Sequence, residues 1–588
     1  MKRLKICAAL FVFCAAFVFA QGQKAGRGGQ TLLEPRHWIY DSLQILEQEC
    51  GIVQFSDQAP LNLAQVRAML GEIDYDSLSA PGKVHYDNII EYLQDSAFSV
   101  NASIMQVRAE PALNLEGYVK TNSSAPWVYD RFDKKHFLEC PVTISVADYA
   151  SFYADIFAGI NKSAAQDSDT FCNIPYSPKN FDVNFPHNAY GSVGYAFTDT
   201  VGFNFRISNM SQAFGRAETG SIIQSEYLTD ATSAALSIYS PIVQYAGAIT
   251  QYNNHRYLYS HKVDARIGKK VQVSFMEAAL PYGDMDLRFF NPMMFLHNYA
   301  SWLDYQKGDN SDVGSFFGIK ANFAPIKSLR IFALWSMTQF QLPVELSEDD
   351  TDKDNYVPNA MGVQLGVESY VPIKSGHLHI NVEGYYAQPY LYINSSPNWS
   401  FVKTSSESNS NAKDFYEWIG SRYGPDTVAA SFRASYEVPK KWSAGFKYLF
   451  LARGELSEPR IFTDVGWGPR ILNPGDDKLN NWVYPFISYP SGQQKLNDSA
   501  KWKDGRNLAA PTGTPEFVNV VTLYGTYSLN DWLEFMSQPS LAIILNSGHE
   551  SGKTEFSFEF VLGARIKFTK IKKNNAGKKE YAQNDSEN

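Results

Sequence analysis

From about Leu113 to Phe568 hydrophobic positions recur at every second residue. The last segment is the clearest. Phe556, Phe558, Phe560, Leu562, Ala564, Ile566 and Phe568 fall on one parity, with Ser557, Glu559, Arg565 and Lys567 on the other. Val201, Phe203, Phe205 and Ile207 alternate with Gly202, Asn204, Arg206 and Ser208, and Val142, Ile144 and Val146 follow the same rule. Successive strand side chains point to opposite faces, so the pattern predicts strands with one apolar and one polar face. The N-terminal region has a different period. Trp38, Ile39, Leu43 and Leu46 recur at helical spacing after Pro35, and Gly51 supplies a stop. Leu63, Val66, Met69 and Leu70 mark a second short helix. A third begins near Ser79-Ala80-Pro81 and carries Val84, Ile89, Ile90 and Leu93. This bundle is expected to pack on itself or on the rim of the β structure.

The connections separate a β-sandwich from a barrel. Short turns are predicted at Asp148, Asp199, Asp230, Lys269, Pro325–Lys327, Ile373–Gly376, Pro439–Lys441 and Leu529–Asp531. Between them lie generally longer links, roughly 161–188, 210–219, 252–255, 280–313, 341–359, 394–427, 453–515 and 546–553. Short turns at one end and long loops at the other are the signature of a transmembrane β-barrel. The fold class predicted is all-β: a large antiparallel transmembrane barrel of about 18 strands with a small N-terminal helical segment. An even strand count returns both barrel ends to the short-turn side, where the helices lie.

Composition fits this reading. Charged residues are only 19% of the 588, below the average of soluble domains, while aromatics are 14%. After the first 20 residues no apolar run approaches the roughly 18 residues of a spanning helix. Met1–Ala20 reads as a secretory signal: Lys2, Arg3 and Lys5 precede the apolar stretch Ile6–Phe19, and Val18-Phe19-Ala20 offers a cleavage site. The domains expected are a signal peptide (1–20), a periplasmic linker and helical segment (21–100), an outer-membrane barrel (101–570) and a disordered basic tail (571–588). The net charge of −9, from 52 Lys and Arg against 61 Asp and Glu, implies no nucleic-acid partner. Outer-membrane lipids are the expected surroundings. Cys50, Cys140 and Cys172 remain after the signal; they make no zinc motif, and one disulfide bridge among them is left open.

No catalytic arrangement is evident. Gly-x-Ser-x-Gly, His-Glu-x-x-His and phosphate-loop motifs are missing, so no enzyme and no cofactor are expected. His377 and His379 share one strand face and would suit a metal, but no third ligand is evident and the expectation is no metal. The long loops carry more information. Residues 453–515 hold Trp467, Trp482, Tyr484, Tyr489 and Trp502 among Asn, Asp, Gly and Lys, and 394–427 hold Trp399, Tyr416, Trp418 and Tyr423. Flat aromatic faces suit the C–H faces of sugar rings, and neighbouring Asn and Asp can bond hydroxyls. The glycan-binding candidates are Trp399, Trp418, Trp467, Trp482, Tyr484, Tyr489 and Trp502. The competing role for each is a loop mini-core or a membrane-interface girdle.

The chain resembles the Wzi-type capsule-assembly family of outer-membrane proteins. The similarity lies in Arg36-His37-Trp38-Ile39-Tyr40-Asp41 at the helical start, Phe290-Asn291-Pro292-Met293-Met294-Phe295 with Gly308-Asp309-Asn310 in a central loop, and Gly424-Pro425-Asp426 entering a strand. The resemblance implies a non-enzymatic outer-membrane lectin with an occluded barrel that holds capsular or other surface polysaccharide. A porin or substrate channel is the alternative reading.

Overall fold

The computed structural model describes residues 26–95, 99–102, 104–122, 135–160, 171–175, 181–184, 188–228, 231–253, 255–296, 313–339, 359–394, 400–406, 414–457, 487–489, 492–494 and 509–568. The expected signal (1–20) and basic tail (571–588) lie outside them.

Eighteen antiparallel strands close into a barrel. We number them β1 (Met105–Ala109 and Ala112–Lys120), β2 (Leu138–Val146), β3 (Ala150–Ile160), β4 (Phe181–Asn184 and Ala189–Ala196), β5 (Gly202–Ser208), β6 (Thr232–Tyr239), β7 (Val243–Asn253), β8 (Arg256–Ile267) and β9 (Val271–Pro281). There follow β10 (Val313–Phe323), β11 (Arg330–Gln339), β12 (Ala360–Ile373), β13 (Gly376–Ala387), β14 (Thr427–Val438), β15 (Trp442–Arg453), β16 (Glu516–Asn530), β17 (Leu533–Leu545) and β18 (Thr554–Lys567). Closure is made by β18 on β1, from Lys567 opposite Ala112 to Glu559 opposite Lys120. The alternation runs along most of the wall, with register shifts at Gln251/Asn253, Met337/Gln339 and Ser528/Asn530. On β18, Phe556, Phe558 and Leu562 are exposed outward, while Ser557, Glu559 and Val561 are buried inward.

The eight short turns fall at 147–149, 197–201, 240–242, 268–270, 324–329, 374–375, 439–441 and 531–532. Seven match the expectation. The turn expected at Asp230 is instead at Ser240–Ile242, because 209–231 is a long connection from β5 to β6. Exposed Tyr149, Tyr195, Phe197, Trp442, Tyr527 and Trp532 ring the short-turn end, as an interfacial girdle requires.

A barrel this wide cannot be filled by wall side chains alone. Two inserts fill it. The first is the N-terminal segment, with α1 (Trp38–Cys50), α2 (Leu63–Leu70) and α3 (Ala80–Gln94). Gly51 ends α1 in the left-handed region at φ 67, and its N–H returns to Gln48 O at 3.0 Å. A side chain there would also meet Lys270 and Lys327 at 3.1 and 3.2 Å. A capping box of Asn62 and Gln65 starts α2, and Ser79 with Pro81 starts α3. The segment enters the short-turn mouth and is tied to its turns: Val53 N–H to Lys269 O (2.9 Å), Ser328 N–H to Gln48 O (2.6 Å), Gly29 N–H to Asp148 (2.6 Å) and Lys440 to Glu91 (2.7 Å). It does not stop at the rim. Asp57 lies buried in the lumen, bonded to Lys262 of β8 and to Lys320 of β10 (2.6 Å). Glu72 holds Arg266 at 2.5 Å, and Glu49 holds His377 of β13. The second insert is 209–228. Its Ala213–Phe214 pairs with Gln58–Ala59, so the two inserts meet inside the barrel.

Two outcomes follow. Asp57→Ala strands Lys320 in a buried site, which costs about 3–5 kcal/mol for breaking a buried pair. Limited trypsinolysis should cut residues 26–95 faster while heat-modifiable migration keeps the barrel, and Lys320→Met should partly restore resistance. Resistance equal to wild type would remove this pair as the anchor. The second concerns acid. Burial pushes the His85 imidazole of α3 down to about 3, with His377 adding to it. Burial acts to raise Glu49, but hydrogen bonds from His377 and Ser79 outweigh it and hold this carboxyl below its usual range. The His85 contribution is intact above the free value of about 6.5 and lost as pH falls towards its docked value; that of Glu49 is lost only below about 4.5. Amide exchange in α1 and α3, corrected for intrinsic rates, should therefore rise between about pH 6 and 4, by up to about 1.4 kcal/mol per pH unit and group. Protection that is flat over this window would refute the linkage.

Candidate functional site: the long-loop collar

At the long-loop end, 388–394, 400–402, 418–426, 454–457 and 509–516 form a collar over the inserts. The stretch Gly424-Pro425-Asp426 is its tie point. Gly424 and Asp426 both take positive φ, at 75 and 52. This turns the buried Asp426 carboxylate towards the neighbouring connection, where it accepts from Thr512 N–H (2.9 Å), Thr512 Oγ1 (2.5 Å) and Leu456 N–H (3.1 Å). Its own N–H donates to Gln388 O at 3.1 Å and its carbonyl accepts from Gly454 N–H at 2.7 Å. One residue thus fastens both ends of the 454–515 connection to the root of 388–426. Glu516 adds a second tie, receiving Arg453 and, at 2.8 Å, the N–H of Gly548. Sequence reading noticed Asp426 only through the family resemblance; its partners are 30 and 86 residues away.

The collar rests on the second insert. Tyr392 donates to Ile222 O at 2.5 Å, and Ser421 donates to Thr219 O at 3.1 Å. The Tyr227 ring lies between the Arg422 guanidinium (4.1 Å) and that of Arg36 (4.5 Å), which joins collar, second insert and N-terminal segment. Below it, Glu218 pairs with Lys447 (2.8 Å) and Arg433 (3.4 Å) on the wall. Two cavities between inserts and wall each hold about 10 Å³, enough for about one water. Gln44, Asp57, Gln272, Asn322 and Arg330 line the first; Gln212, Gln224, Thr250 and Tyr252 line the second.

Among the glycan-binding candidates the structure describes the Trp418 side chain. It is only 5% exposed, stacks near Tyr392 at 5.8 Å and donates its indole N–H to Ser457 O at 2.8 Å. Tyr423 is buried beside it. These two rings build the collar's core. Trp399, Trp467, Trp482, Tyr484 and Trp502 lie outside the described residues, and Tyr489 sits in a short hairpin, Ile487–Tyr489 with Gly492–Gln494, described in its backbone alone. The collar therefore fixes the two roots between which most of the candidate aromatics are strung.

His377 and His379 share the lumen face, as their spacing requires. Each meets a different carboxylate, Glu49 for His377 and Glu368 at 2.9 Å for His379. Among the described residues no three His, Cys, Asp or Glu are grouped to hold a metal ion. Cys50, Cys140 and Cys172 are all free thiols. Phe290–Phe295 belongs to a segment folded back on the outside of the wall. There Phe295 meets Phe275 edge-on at 6.0 Å, and Leu296 N–H donates to Glu277, itself paired with His261 at 3.0 Å.

No protein-family model matches the chain, and no curated protein matches it by sequence. Solved structures do match. Wzi of Escherichia coli, described as an outer-membrane protein involved in group 1 capsule assembly and a carbohydrate-binding β-barrel, superposes with a TM-score of 0.53 at 11% identity, covering 92% of this chain and 99% of that one. OprD of Pseudomonas aeruginosa gives 0.38 at 10% identity over 78% of this chain and 94% of its own. OmpT of Vibrio cholerae gives 0.32 at 10% over 80% and 100%. The fold, with its closed 18-strand wall, is that of an outer-membrane β-barrel, and the outer membrane is where this chain resides.

Proposed function

We propose that this protein is a non-enzymatic outer-membrane lectin that holds capsular or other surface polysaccharide on its outer loops and so takes part in capsule assembly. One observation carries the reading: the lumen is crossed by two inserts that meet each other and support the loop collar. Ion pairs tie both inserts to the wall, Asp57 for the first and Glu218 for the second. A channel gains nothing from such a filling. A binding platform gains stiffness, since each loop root it fixes lowers the conformational entropy lost when ligand binds. The carbohydrate binding described for Wzi agrees with it. The porin reading predicts the opposite use of the lumen.

The purified, detergent-folded protein should bind surface polysaccharide from its own organism and show no stepwise conductance in a planar bilayer. Conductance without binding would establish the channel reading. Replacing Trp467, Trp482 and Trp502 together by Ala should weaken polysaccharide retention at least about tenfold, given roughly 0.5–1.5 kcal/mol for each aromatic contact. Retention equal to wild type, with the heat-modifiable barrel intact, would place the ligand surface elsewhere.

A further inference from the structure

The inserts do not fill the lumen evenly. Along β8–β13 the lumen-facing side chains are buried right down to the short turns, as with Arg266, Gln272, Asn322, Arg330 and His377. Along β14–β18 there is a step instead. In the outer half, Ala429, Leu451, Val518 and Ile544 face inward and are buried in the apolar layer under the collar. In the half nearer the short turns, Arg433, Glu437, Tyr524, Glu534 and Arg565 face the same lumen and are partly exposed. The first turn of α1 is exposed too, Trp38 by 42% and the Asp41 side chain by 53%. Buried in its outer half and partly exposed in its inner half, this stretch of wall outlines a space closed towards the collar, termed the vestibule below. Its mouth is at the short-turn end, where Glu534 and Lys567 are exposed furthest along the wall.

Its lining points to one kind of ligand. Charges of both signs are interleaved: Arg216 pairs with Asp41 at 3.1 Å, Arg565 with Glu139 at 3.3 Å and Lys567 with Glu534 at 3.6 Å. Such a lining does not select a polyanion. Guanidinium donors next to carboxylate acceptors match hydroxyls, which both donate and accept. Two aromatic faces stand among them: Trp38, held edge-on by Tyr92 at 5.9 Å, and Tyr524, whose hydroxyl accepts from Arg433 at 2.7 Å. We propose that this vestibule is a second saccharide site, opening to the periplasm, that takes a short segment of a polyhydroxylated chain against Trp38 and Tyr524. The proposal rests on the polysaccharide reading of the protein and extends it to the inner face. The barrel then touches its polymer from both sides of the membrane without a through-path.

Two measurements on the protein from Gln21 onward test it. In a background with Cys50, Cys140 and Cys172 replaced by Ser, Asp41→Cys should react with a charged thiosulfonate in proteoliposomes open to the short-turn side. Failure to react there, when the unfolded protein does react, overturns the vestibule itself. The second measurement uses short oligosaccharides from partial hydrolysis of the organism's surface polysaccharide. The outer-loop variant lacking Trp467, Trp482 and Trp502 should keep weak binding that drops about two- to tenfold on adding Trp38→Ala, the size of one aromatic platform. Adding Trp38→Phe should retain most of it. Complete loss in the outer-loop variant overturns the second site and leaves the lectin reading standing. No binding by wild type overturns the lectin reading and, with it, the saccharide assignment, whatever the thiol reaction shows.

Discussion

Asp57 stands between two wall lysines, Lys262 and Lys320, inside a barrel too wide for its own side chains to fill. The first insert is fixed to the wall by that contact. The carboxylate is fully buried, and so are both ammonium groups. A group so deeply desolvated is tolerable only when paired, so the N-terminal segment can take one seat only. Ser274 and Asn322 complete the shell through Asp264 at 2.5 Å and Asp57 at 3.3 Å.

This anchoring explains a helix that is buried almost all round yet is not apolar. Between Ile39 and Glu49, α1 buries Gln44, Glu47, Gln48 and Glu49 as well as Ile39, Leu43 and Leu46. One side packs on the helical segment's own core, and the other faces a polar lumen wall where Glu368 receives both Gln44 and Gln48. A barrel in a membrane turns its hydrophobic face outward, so whatever enters it must bring polar groups to match. Because α1 docks on β8–β13, the space along β14–β18 stays wet.

Force and position pass upward through the second insert. Ala213–Phe214 lies on the first insert, Glu218 and Thr219 on the wall, and Ile222 under the collar. The collar then clasps the roots of the two longest connections at Asp426. A chain of direct contacts therefore runs from the short-turn mouth to the base of the outer loops. Stiff loop roots on a filled barrel are the physical property that a surface holding a long polymer needs.

What is local was legible in the chain. Period-two alternation settled the strands and their faces, because each residue's parity decides whether it meets lipid or lumen. Helical spacing, Gly51 and Ser79 settled the three helices to within a few residues. Contacts over long separations were decided only by the tertiary structure. Asp57 finds Lys262 and Lys320 at separations of 205 and 263 residues, and nothing near any of them announces the pairing. The turn expected at Asp230 failed for the same reason. Ile222 and Ile223 look like wall residues in the chain, but their burial against Phe316 and Leu334 belongs to an insert. Trp418 likewise reads in the chain either as a ring for sugar or as part of a loop mini-core, since sequence shows its flat face and not the Ser457 carbonyl that takes its N–H. Parity can be read from neighbours along the chain; what fills a closed wall depends on which distant segments share its interior.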